Sequence, residues 1–174
     1  MALMSLLKRL LTPKPDPRED LRPLWRAIVD EARRREWYSD CGAADSVAGR
    51  FDMVTAVLSA VLVRMEASPD LAAPSVLLTE LFVEDMDGQL REFGVGDVIV
   101  GKRVGKLMGA MGGRLAAYRE GLQGSPAALA DAARRNLTLR EGGDAAAVAE
   151  GLAHWFARLQ RTGDAGLLAG EVAE

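Results

Sequence analysis

The chain has 174 residues, 49% of them hydrophobic and 27% charged, with a net charge of −3. One cysteine, Cys41, and one histidine, His154, exclude an internal disulfide and leave too few soft ligands for a zinc or iron–sulfur site. Such a chain folds as one domain, burying about 70% of the surface its unfolded form exposes, and its acidity means that any general hold on nucleic acid would have to come from a local basic patch.

Residues 1–11 place Leu3, Leu6, Leu7 and Leu10 at helical spacing, with Lys8 and Arg9 available to lipid headgroups or ribosomal RNA. A frayed terminus is the simpler reading. Lys8 and Arg9 interrupt the apolar residues instead of preceding them, which is not the order of a secretory signal. Pro13, Pro15 and Pro17 favour an extended spacer, so residues 1–18 form an arm and linker ahead of a helical domain expected over 19–162. Asp20 is expected to cap a helix whose stripe is Leu21, Leu24, Trp25, Ile28, Val29 and Ala32. After a loop over 37–44, Asp45 is expected to cap the strongest helix, where Val47, Phe51, Val54, Leu58, Val61 and Met65 recur at steps of four and three. Val57, Leu62 and Val63 widen its apolar surface, which predicts neighbours on more than one side.

Pro74 and Ser75 open a third helix through Leu77, Leu78, Leu81 and Phe82, which runs into an acidic turn over 85–88. Asp97 is expected to cap the next helix, through Val100, Val104, Leu107, Met108 and Met111, with a bend at Gly112 and Gly113. Its glycines 101, 105, 109 and 112 lower helix propensity by up to about 1 kcal/mol each relative to alanine and would let another backbone come close. Ser125 and Pro126 start a helix over 127–137, and Asp144 starts the last, with Val148, Leu152, Trp155, Phe156 and Leu159 inward. Residues 163–174 are expected to fray as a tail. No segment alternates as a strand should, so the expected class is all-α: a compact, bundle-like domain of about six helices. The uncharged stretch 53–63 is far shorter than the roughly 20 residues a spanning helix needs, so a soluble, cytoplasmic protein is expected.

Several patterns that carry chemistry elsewhere do not carry it here. Residues 96–102 have the spacing of a phosphate loop, but Arg103 stands where a magnesium-binding hydroxyl is required. Asp85, Asp87 and Gly88 resemble the start of a calcium loop with its glycine two positions early. His154 shares a face with Glu150 and Arg158, the pattern of a solvated surface, and leaves no nucleophile an evident base. Trp37 and Tyr38, beside Arg33, Arg34 and Arg35, suit either stacking on a nucleic acid base or anchoring a helix end, the commoner use. Lys102, Lys106, Arg103 and Arg114 make one side of the glycine-rich helix basic.

The run Phe82, Val83, Glu84, Asp85, Met86, Asp87, Gly88, Gln89, Leu90, Arg91, Glu92, Phe93, Gly94, Val95, Gly96, Asp97, followed by Val100, Lys102, Gly113, Arg114 and Tyr118, resembles the ubiquinol-cytochrome c chaperone family. An upstream block is similar to that family's other signature: Trp37 and Tyr38, then 45–53 with Gly49, Arg50, Phe51, Asp52 and Met53. The resemblance implies a helical, non-enzymatic protein without cofactor or metal, which binds newly synthesised cytochrome b and supports its maturation toward complex III. In mitochondrial members it also implies docking near the ribosomal tunnel exit with a small helical partner. The Ala, Gly and Arg richness suggests a bacterial member, peripheral at the cytoplasmic face of the inner membrane. The residues expected to meet the partner are Arg50, Phe51, Met53, Asp85, Met86, Asp87, Leu90, Arg91, Glu92, Gly94, Gly96, Asp97, Lys102, Arg114 and Tyr118. The alternative is an RNA-binding or ribosome-binding module acting in translation of a membrane protein, gripping phosphates through Arg33, Arg34 and Arg35 or the basic helix.

Overall fold

A computed structural model describes the backbone of residues 16–92 and 97–173, with side chains throughout these except over 89–108. The fold is all-α, and the described residues contain no β-strand. A 3₁₀ turn at Glu19–Leu21 leads into α1 (Arg22–Ala32), followed by the short α2 (Arg35–Ser39) and the long α3 (Val47–Met65). A second 3₁₀ turn at Pro69–Leu71 opens α4 (Ala72–Glu92), which precedes α5 (Asp97–Gln123). Three more helices complete the chain: α6 (Pro126–Asn136), α7 (Ala145–Arg161) and α8 (Asp164–Leu168).

The centre of the molecule is α3, which packs against α1, α4, α5 and α7. From Asp52 to Val63 every residue is buried, as expected of a helix apolar on all sides. Thr55 and Ser59, inside that run, turn their hydroxyls back onto the carbonyls of Phe51 and Thr55, so neither polar atom is left without a bond. Val47 differs from the expectation: at 72% exposure it sits before the helix enters the core.

Helix starts follow side-chain capping where the local sequence offers it. Ser125 Oγ accepts from Ala128 N at the start of α6, and Asp144 Oδ1 accepts from Ala146 N at the start of α7, both as expected. The cap of α3 is Ser46, whose Oγ accepts from Gly49 N at 3.1 Å, and not Asp45. Asp45 instead turns to Arg50, 2.7 Å away. Asp20 caps nothing either, because the 3₁₀ turn carries the chain into α1 without a side-chain cap.

Two larger differences concern the later helices. The segment expected to be an acidic turn, 85–88, is continuous α4. Packing decides this: Leu78, Phe82 and Met86 recur every four residues on one buried face, and that burial outweighs the about 1 kcal/mol by which Gly88 disfavours helix. The backbone of α5 runs through Gly112 and Gly113 as one helix. Residues 163–173 pack instead of fraying: Leu167 is fully buried, Ala173 N donates to Thr162 Oγ1, and Arg158 Nε donates to Ala173 O.

Arg64 explains much of that last difference. From α3 it donates to the carbonyls of Leu159 and Thr162 at 3.1 and 2.8 Å and pairs with Asp164 at 2.7 Å. These carbonyls lie at the open end of α7, where a helix has no partners of its own, so one partly buried arginine ties the chain's end to its central helix.

Candidate functional site

The two signature blocks meet where α3, α4 and α5 converge, and the residue at their junction is Asp52. Its carboxylate, 7% exposed, accepts from Arg114 Nη1 on α5 at 2.7 Å through Oδ1. Through Oδ2 it accepts from both the backbone N and the Oγ1 of Thr138, at 2.9 and 2.7 Å. One side chain therefore joins α3, α5 and the segment after α6. A buried carboxylate is tolerated only when its lone pairs are engaged, and here three donors engage them.

Aromatic rings extend the junction. The Arg114 guanidinium lies 5.4 Å from the Phe51 ring centroid. Phe51 meets Phe82 of α4 at 6.2 Å, and Phe82 meets Trp25 of α1 edge-on at 6.1 Å. A chain of rings thus runs from Arg114 to α1, combining cation–π and edge-to-face contact.

Tyr118, one turn beyond Arg114, is 1% exposed and its hydroxyl has no hydrogen-bond partner among the described residues. Burial raises the pKa of that hydroxyl well above the ordinary tyrosine value; Arg114 opposes the shift and Asp52 adds to it.

The sequence-derived residues separate into three groups. Phe51, Arg114 and Tyr118 come together around Asp52, and Met53 and Met86 are buried in the core, so all five face inward. Arg50 is exposed and held by Asp45; Asp85 is exposed and Asp87 half-buried on α4. Gly94 and Gly96 lie outside the described residues, as do the side chains of Leu90, Arg91, Glu92, Asp97 and Lys102.

Reasoning from sequence left Asp52 and Thr138 out of the candidate set. Asp52 did leave a signal: it is the sole acid in the run 51–63, and a charge inside a helix buried on all sides must have a partner. Its partners, 62 and 86 residues away, could not be read from spacing.

Other sequence candidates settle into structural roles. Trp37 Nε1 and Tyr38 Oη donate to the carbonyls of Glu31 and Ala32, closing the end of α1. Arg34 lies 3.5 Å from both Glu31 and Glu36, which engages the middle of the Arg33–Arg35 cluster. His154 is exposed on α7. No group of three or more ligating side chains suited to a metal occurs among the described residues. Among the same residues, no helix is long and apolar enough to cross a membrane. A cleft of about 630 Å³ lies between the end of α5, α6 and α7, lined by Leu122, Pro126, Leu129, Ala149 and Phe156 with Glu150 and Gln160. None of the sequence-derived residues lines it.

Comparison with known proteins gives a consistent result. The family model described as ubiquinol-cytochrome C chaperone matches residues 39–173. The crystal structure of the Cbp3 homolog from Brucella abortus superposes with a TM-score of 0.77 at 27% identity, covering 99% of this chain and 96% of that one. A search of characterised protein sequences returns no match.

Proposed function

Since the chain belongs to the ubiquinol-cytochrome c chaperone family, we propose that it is a non-enzymatic assembly factor that binds newly synthesised cytochrome b and supports its incorporation into complex III. The observation that carries this reading is the extent of the family match over 39–173, together with the structural likeness to the Brucella abortus homolog along nearly its whole length.

The geometry supports a binding role for the α4–α5 pair. The signature residues on these helices divide into an inward set, which fixes the helices to α3, and an outward set on α4 that includes Asp85. Helices anchored to the core through Phe82, Met86 and Arg114 that present polar residues beyond an apolar base are suited to recognising another chain, because the ordering cost of the anchored part is met during folding. The partner contact is assigned to α4 from Asp85 onward and to the first turns of α5, with Arg91 and Lys102 contributing charge. A peripheral position at the inner membrane follows from cytochrome b being a membrane protein.

The test is a strain lacking the native gene, complemented with the Asp85→Lys, Arg91→Glu double variant. Cytochrome b accumulation is expected to fall while the chaperone itself remains at its normal level. Normal accumulation would place the contact elsewhere.

A further inference from the structure

Two arginines five positions apart on α5 grip α3 at separated points. Arg114 holds Asp52 near the start of α3, and Arg119 holds Glu66 at its C-terminal cap with Nε to Oε2 at 2.8 Å. The grips are unequal. Asp52 is 7% exposed and Glu66 is 42% exposed, so solvent and salt screen the second far more than the first. Beyond these grips, the C-terminal end of α5 is wedged against α6, where a Cβ on Gly121 would fall 2.7 Å from Leu129 Cα. Toward the start of α5, the described contacts that set its direction against α3 are the ion pair at Asp52 and the burial of Met111.

We propose that Asp52 is a positioning residue: by holding Arg114 it sets the angle of α5 against α3, and with it the position of the helix backbone toward Asp97. This rests on the reading that the α4–α5 pair meets cytochrome b. From Arg114 back to Asp97, α5 extends about 25 Å at 1.5 Å per residue, so a pivot of about 10° moves its first turn by about 4 Å. A displacement of that size is enough to break a preorganised binding surface. Thr138 holds the same carboxylate from the other side, which fixes Asp52 while it holds α5. The Phe51 ring, against the Arg114 guanidinium, restricts where that guanidinium can go.

The experiment uses the full chain with Cys41→Ser, Gly101→Cys and His154→Cys carrying spin labels, read by pulsed electron resonance. Asp52→Asn keeps side-chain volume and an acceptor for Thr138 but removes the ion pair. Thr138→Val removes one hydrogen bond and leaves the pair. With Asp52→Asn, the label distance is expected to shift or broaden by about 3 Å, and cytochrome b recovered on the tagged chain to fall about tenfold. Thr138→Val is expected to lose stability without moving the distance. An unchanged distance in Asp52→Asn, or an equal change in Thr138→Val, would overturn the proposal. If Asp52→Asn fails to fold, Arg114→Gln, which also removes the ion pair, is read by the same distance. A parent protein that captures no cytochrome b would instead overturn the partner reading, and the distance measurement would still decide the positioning role.

Discussion

Arg114 and Asp52 stand 2.7 Å apart in a contact that joins two helices whose sequence positions differ by 62. Truncating one member of such a pair strands the other. Asp52→Ala leaves the Arg114 guanidinium and the Thr138 N–H without their acceptor and is expected to cost about 3 kcal/mol. Tyr118→Phe, in the same surroundings, removes a buried hydroxyl that bonds nothing among the described residues; it is expected to leave stability unchanged or raise it by up to about 1 kcal/mol. Urea denaturation of both variants measures the contrast.

Two helix-interior glycines predict opposite outcomes for the same substitution. A Cβ on Gly151 would fall 2.5 Å from Trp37 Cζ3, whereas a Cβ on Gly112 meets nothing within 4 Å. Gly151→Ala is expected to destabilise the fold by about 1–3 kcal/mol and to perturb tryptophan fluorescence. Gly112→Ala is expected to stabilise it by up to about 1 kcal/mol, since helix propensity is then the only change. Thermal melts followed by circular dichroism distinguish them.

The closure of the chain's end is sensitive to acid. Hydrogen bonds from Ser68 and Arg64 hold the Asp164 carboxyl below its ordinary 3.8. A group whose pKa is lower folded than unfolded contributes its stability above the unfolded value and loses it as pH falls through the folded one. The contribution of Asp164 is therefore complete above the ordinary carboxylate range and is lost as pH falls below it. Asp164→Asn is expected to flatten that part of the stability profile and to leave its neutral and alkaline parts parallel to the parent. Denaturation midpoints across this range check it.

Removing the arginine on the other side of that contact tests the same closure independently of pH. Arg64→Ala deprives the carbonyls of Leu159 and Thr162 of their donor and is expected to cost about 2–3 kcal/mol at neutral pH. Amide exchange should then rise over 163–173 before it rises in α3. Uniform loss of protection across the whole chain would show that this segment has no separate opening step.

Local signals were the legible part of the fold. Ser125 and Asp144 declared the starts of α6 and α7, and the repeat from Phe51 to Met65 declared a helix buried on several sides. The misread places share a cause: a residue's intrinsic preference was taken as decisive where packing or a distant partner decided. Gly88 and its flanking aspartates read as a turn, yet Phe82 and Met86 carry the helix through them. The last residues read as frayed because the donor that fastens them, Arg64, is about a hundred positions away in the chain. At the candidate site, Arg114 and Tyr118 were found through the family's signature, but that they point inward followed only from Asp52, whose three donors come from elsewhere in the sequence.

The most direct test of the proposed function is a strain from which the gene is deleted, scored for haem b absorbance and for assembled complex III, with the intact gene restored in parallel. Both quantities are expected to fall on deletion and to recover on restoration, with other respiratory complexes retained. Unchanged haem b absorbance and unchanged complex III in the deletion strain would contradict the proposal that this protein acts in cytochrome b maturation.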